Sequence, residues 1–166
     1  MATYVKIASA TVTGATAANI DFQNIPATYD DLVLHLSARY DGSGSPNTLI
    51  SFNNLTTSFT SKVLYGDGAS AGSTDAVQRF IAYNSLSTNT ASTFGSGYVY
   101  IPNYAGSTNK SYAANSASET NGTTAYIGMV AGLRSNTAAI TQITFTPSSG
   151  NFVQYSTATL YGIKKS

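Results

Sequence analysis

From Tyr29 to Tyr40 the chain reads YDDLVLHLSARY, and its leucines fall on every second residue. Leu32, Leu34, Leu36, Ala38 and Tyr40 share one parity, while Val33, His35, Ser37 and Arg39 take the other. Successive side chains of a β-strand point to opposite faces, so this stretch has one apolar face and one mostly polar face. In a helix, at about 100° per residue, the same leucines would scatter round the axis. A strand of this length needs a second layer over its leucines, and the rest of the chain has to supply it.

The remaining segments repeat the pattern. Tyr4–Thr13 alternates and reads as a first strand; its Ala-rich run is broken by Ser9, Thr11 and Thr13, which argues against a signal peptide. Ala18–Ile25 is a second strand ended by Pro26, and Thr48–Asn53 follows the turn Asp41-Gly-Ser-Gly-Ser-Pro46. Lys62–Tyr65 is a short strand closed by Gly66-Asp-Gly68. Ser73–Leu86 fits a helix opened by Asp75 and also a strand; its neighbourhood favours the strand. Ser92–Tyr104 places Tyr98, Tyr100 and Tyr104 on one face. Lys110–Ser118 is polar enough for a sheet edge, and Asn121-Gly122 is a two-residue hairpin signal. Beyond it Ala125, Ile127, Met129, Ala131 and Leu133 alternate as cleanly as the leucines, so Ile127 is expected to share a core with Leu34. Gly128 and Gly132 lie on the opposite face, where another part of the chain can approach closely. Ala138–Thr146 and Phe152–Ile163 complete about ten strands, with Pro147-Ser-Ser-Gly150 between them as a turn.

Turn signals every 8 to 13 residues predict an all-β, antiparallel sandwich rather than βαβ units. Residues 1–166 suit one such domain. A jelly-roll-like sandwich of about ten strands is the expected architecture, because strands this long need a complete second sheet; an immunoglobulin-like sandwich is the alternative. Thr, Val, Ile and Tyr are frequent, and Glu119 is the only glutamate, which leaves little for helices.

Composition narrows the function. Charged residues make up 9% of the chain, against about 25% in an average domain. A net charge of +1 gives no basic patch for nucleic acid. No stretch is apolar enough for a membrane-spanning helix. Without cysteine there is no disulfide framework and no thiolate metal site.

No residue pattern announces catalysis. His35 is the only histidine, sits mid-strand and lacks a nucleophile elbow nearby, so a place on a sheet surface or subunit interface is expected. Gly42-Ser-Gly44, Gly66-Asp-Gly68 and Gly95-Ser-Gly97 open no helix and read as turns rather than phosphate loops. Asp41 and Asp67 lack the spacing of a calcium loop. No catalytic, cofactor or metal residue is therefore assigned. The twelve tyrosines are the informative excess, since each offers a flat apolar body with a polar tip, suited to subunit contact and to sugar stacking. Tyr98, Tyr100 and Tyr104 are the interface candidates.

The ending, Phe152-Val-Gln-Tyr-Ser-Thr-Ala-Thr-Leu-Tyr-Gly-Ile-Lys164, resembles the closing strand of small structural proteins of tailed bacteriophages. Ile20-Asp-Phe-Gln-Asn-Ile-Pro26, Tyr29–Arg39 and Ile50-Ser-Phe-Asn53 are similar to theirs as well. The resemblance implies a jelly-roll-like virion protein and transfers no catalytic residue. Asn84–Asn121 has no counterpart in it. On this basis the expected function is non-enzymatic: a capsid cement or decoration protein on the capsid surface, homotrimeric and bound to the major capsid protein. The alternative is a tail-associated adhesin that recognises a host glycan through tyrosines.

Overall fold

The computed structural model describes residues 2–75, 78–121 and 125–164. In chain order its strands are β1 (Thr3–Thr11), β2 (Thr16–Ala17), β3 (Ile20–Phe22), β4 (Asp31–Ala38), β5 (Asn47–Phe52), β6 (Phe59–Gly66), β7 (Ala71–Thr74), β8 (Phe80–Tyr83), β9 (Gly95–Pro102), β10 (Lys110–Ser118), β11 (Tyr126–Arg134), β12 (Ile143–Pro147), β13 (Phe152–Val153) and β14 (Thr157–Lys164). The described residues contain no helix. All strand pairs are antiparallel.

Eight strands make two four-stranded layers, β1-β14-β4-β9 and β3-β12-β5-β8. The chain changes layer at each step from β1 to β3, β4 and β5, and again from β8 to β9, β12 and β14. Only the passage from β5 to β8 stays within one layer, and this order is a jelly roll. Two hairpins are inserted into it. β6 and β7 lie between β5 and β8; β10 and β11 lie between β9 and β12. Both join the first layer beyond β9, which becomes an eight-stranded sheet ordered β1-β14-β4-β9-β10-β11-β6-β7. The inner side of this extension packs on β8. A two-stranded piece, β13 with β2, closes one end.

The core lies where the alternation of β4 predicts it. Leu32, Leu34 and Leu36 are buried with Val99 and Ile101 of β9 and Leu160 of β14. Opposite them, Ile20, Phe22, Ile50, Phe52, Ile143 and Phe145 fill the second layer, with the rings of Phe22 and Phe145 meeting edge to face.

Three expectations change. β10 is an interior strand, held between β9 and β11, and not an edge. Its small residues make it read as polar: Ala114, Ser116 and Ser118 on the inner face and Ser111, Ala113, Asn115 and Ala117 on the outer, with Tyr112 the one large apolar side chain. The inner face meets β8, and the outer one lies between larger neighbours.

The alternation of β11 is correct, but its faces are inverted. Leu34 is 1% exposed, whereas Ile127 is 62% exposed. Gly128, Val130, Gly132 and Arg134 point inward. The reason is the partner surface. The Tyr112 ring occupies the place of a Cβ at Gly132, and a Cβ at Gly128 would stand 2.9 Å from the Tyr83 ring. Tyrosine rings supply the bulk on this side, so the strand contributes glycines to it and turns its large residues out.

The strand count rises because long predicted strands are broken. Phe152–Ile163 is interrupted at Tyr155, whose φ is 71°, and Ser73–Leu86 divides between β7 and β8. Val77, which both readings of Ser73–Leu86 used, lies outside the described residues. Ala138–Thr146 begins to pair only at Ile143, and Pro147 closes β12 rather than starting a turn. Gly122 of the predicted hairpin is also outside the described residues, although β10 and β11 pair in register from Ser118 and Tyr126.

Candidate interaction face

The outer face of the eight-stranded sheet can be followed row by row from its register. One row runs Ser9, Thr159, His35, Tyr98, Asn115, Met129, Leu64 and Ser73. The row beside it runs Lys6, Tyr161, Val33, Tyr100, Ala113, Ala131 and Lys62. The next on the other side runs Thr11, Thr157, Ser37, Ser96, Ala117, Ile127, Gly66 and Ala71. Read across the strands, the jelly-roll half is mostly hydroxylic with a belt of aromatic rings. The inserted half is aliphatic.

The aromatic belt holds two of the three candidate tyrosines. Tyr98 is partly exposed, and its ring meets His35 edge to face at 5.4 Å between centroids. His35 meets Tyr161 on its other side at 5.7 Å. The only histidine is thus an exposed side chain between two tyrosine rings. Desolvation, followed by the nearby Tyr4 hydroxyl, raises the Tyr98 pKa above the usual phenol value. Tyr100 stands on the same outward face, in the neighbouring row, and donates to Asp31 Oδ2 at 2.8 Å; Asp31 also accepts the Asn103 amide at 3.0 Å.

Tyr104 does not belong to this face. Strand β9 ends at Pro102, and Asn103 adopts a left-handed backbone with φ of 48°. The two-residue period stops there. Tyr104 is fully buried, and its hydroxyl donates to the Pro26 carbonyl. The predicted three-tyrosine row is therefore two surface residues and one core residue.

The aliphatic half was not assigned to the surface by the sequence reasoning. Its ridge is β11, where Ile127, Met129 and Leu133 are 62%, 60% and 37% exposed, and Leu64 on β6 adds a residue 62% exposed directly opposite Met129. Beside the ridge, β10 turns out only Ser111, Ala113, Asn115 and Ala117. A trough of small side chains therefore separates the ridge from the tyrosines of β9. Lys62 and Asp75 form an ion pair at its border. The signal was present in the sequence: on β11 the glycines and the aliphatics have opposite parity, and glycine is what a closely covered face requires.

Lys110, Arg134, Asp67 and Asp41 have structural partners. Lys110 and Arg134 are paired across β10 and β11, and both are almost fully buried. The Lys110 ammonium donates to the carbonyls of Gly106, Thr108 and Thr137. Arg134 Nη1 donates to the Phe52 carbonyl at 3.3 Å, and its guanidinium lies 5.7 Å from the centre of the Phe59 ring. Desolvation lowers the pKa of both, with the neighbouring Arg134 charge adding to the effect at Lys110. Asp67 accepts the amides of Ala69 and Ser70 at 3.0 and 2.7 Å, and Asp41 accepts that of Asn151 at 2.7 Å, so both loop aspartates close turns. Among the described residues no three His, Asp or Glu side chains gather where a metal ion could be held. Neither a known family nor a curated protein sequence matches the chain.

Proposed function

We propose that the protein is a non-enzymatic structural component of a bacteriophage particle, a decoration protein that binds the major capsid protein on the capsid surface and stabilises the shell. The observation that carries this reading is the character of the exposed surface. One sheet face carries four exposed large apolar side chains, Leu64, Ile127, Met129 and Leu133, and such a patch marks a contact with another protein surface. Among the described residues Asp41 and Asp67 are spent on turns, Lys110 and Arg134 on carbonyls, and His35 on ring contacts. The jelly roll is a shell-building architecture as well as a lectin one, so it is compatible with the reading without deciding it. The similarity of the closing segment to phage structural proteins supplies the particle. In this fold Leu160 of that segment is buried and Gly162 lies against the Tyr29 ring.

The test is a count. Particles from the virus that carries this chain are purified and its copies per particle measured by quantitative gel. Hundreds of copies, lost with a fall in capsid heat resistance, support the decoration role. A few copies located at the tail support the second reading, a glycan-binding adhesin, which the ring cluster of His35, Tyr98 and Tyr161 favours. Absence from the particle removes both.

A further inference from the structure

We infer that the protein is a two-fold homodimer, formed by packing the outer face of β10, β11 and β6 of one copy on the same face of another. Shape is the first argument. The ridge Ile127, Met129 and Leu133 lies one strand away from the trough Ser111, Ala113, Asn115 and Ala117. A two-fold axis parallel to the strands, midway between β10 and β11, sets each ridge over the other copy's trough. Large residues then meet small ones in both directions, as at the inner faces of two sheets about 10 Å apart.

Charge is the second argument. Like charges brought face to face between two copies would repel and weaken the contact. Among the described outward residues of β9, β10, β11, β6 and β7 only Lys62 is charged, and it is neutralised by Asp75 beyond the end of β7. A face without net charge meets its own copy with no repulsion.

Area is the third. About this axis the four strands β9, β10, β11 and β6 face the same four of the other copy, a width of about 19 Å, and the longer strands run about 28 Å. That is roughly 550 Å² per copy and roughly 1,100 Å² in all, which clears the approximate 1,000 Å² expected of a specific contact.

The contact must also be two-fold. One face packing on itself is isologous and closes as a dimer, while a trimer needs two different patches. The trimer expected from the tyrosines loses one of its three residues to the core. The dimer does not depend on the decoration role and survives its failure.

Light scattering and sedimentation equilibrium on the full chain test it. Twice the chain mass of 17.3 kDa at micromolar concentration is expected. A monomer or a trimer overturns the inference. Met129→Lys puts a charge in the middle of the contact and should raise the dimer dissociation constant at least about tenfold. Ile127→Ser is a milder second variant on the same ridge, expected to weaken the dimer with an unchanged circular dichroism spectrum. A dimer that neither substitution weakens lies on another face and overturns the assignment. So does a monomeric wild type that binds purified particles and loses that binding in Met129→Lys, since the face then belongs to the capsid.

Discussion

The ring of Tyr112 on β10 lies over Gly132, the residue paired with it on β11, so closely that no side-chain carbon fits beneath it. Gly132→Ala should therefore force the ring or the strand to move. Overpacking a filled site costs about 1–3 kcal/mol. Urea denaturation should show a lower midpoint with an unchanged slope; equal stability would mean that the ring swings aside freely.

Leu34 and Ile127 separate the two kinds of alternating row. Leu34→Ala removes a fully buried side chain and should destabilise by about 2–5 kcal/mol. Ile127→Ala acts on an exposed position and should stay within about 0.5 kcal/mol in the free monomer. Comparing the two unfolding curves at low protein concentration checks this, and a large loss at Ile127 would place the ridge inside.

Tyr104→Phe leaves the ring in the core and deletes the donor to the Pro26 carbonyl. A loss of about 0.5–1.5 kcal/mol is expected, the usual net value of one such bond. Tyr98→Phe, on the outer face, should change stability by less than about 0.5 kcal/mol. Thermal unfolding of the pair decides between a structural and a surface role for each hydroxyl.

Asp21 is expected to contribute to the response to acid. Desolvation works against its charged form, but hydrogen bonds from Gln142, Gln23 and Thr144 outweigh it and hold the carboxyl below its ordinary value of 3.8. A carboxyl with a depressed folded pKa contributes stability above its unfolded pKa and loses it as pH falls through the folded one. The stability difference between the wild type and Asp21→Asn should thus be present at about pH 5 and shrink below about pH 3.8. A difference that stays constant across that window would remove Asp21 from the acid response.

Much of the fold is legible in the chain because strand alternation is local. Leu32, Leu34 and Leu36 declare their shared face by spacing alone, and turn residues divide most strands near the right places. Tyr104 is not legible in this way, because the two-residue period ends at Asn103, a single left-handed residue. The alternation of Phe152–Ile163 is interrupted for the same reason at Tyr155.

Local alternation is enough to specify an all-β sandwich and which residues within a regular strand point the same way. Which of the two faces is covered depends on long-range packing. Along β11 both faces are consistent with the alternation, one carrying Ile127, Met129 and Leu133, the other Gly128, Val130 and Gly132. The choice is made by what lies opposite. The rings of Tyr112 and Tyr83 already fill the interior there, so close packing admits glycine on that side and leaves the aliphatic residues facing out.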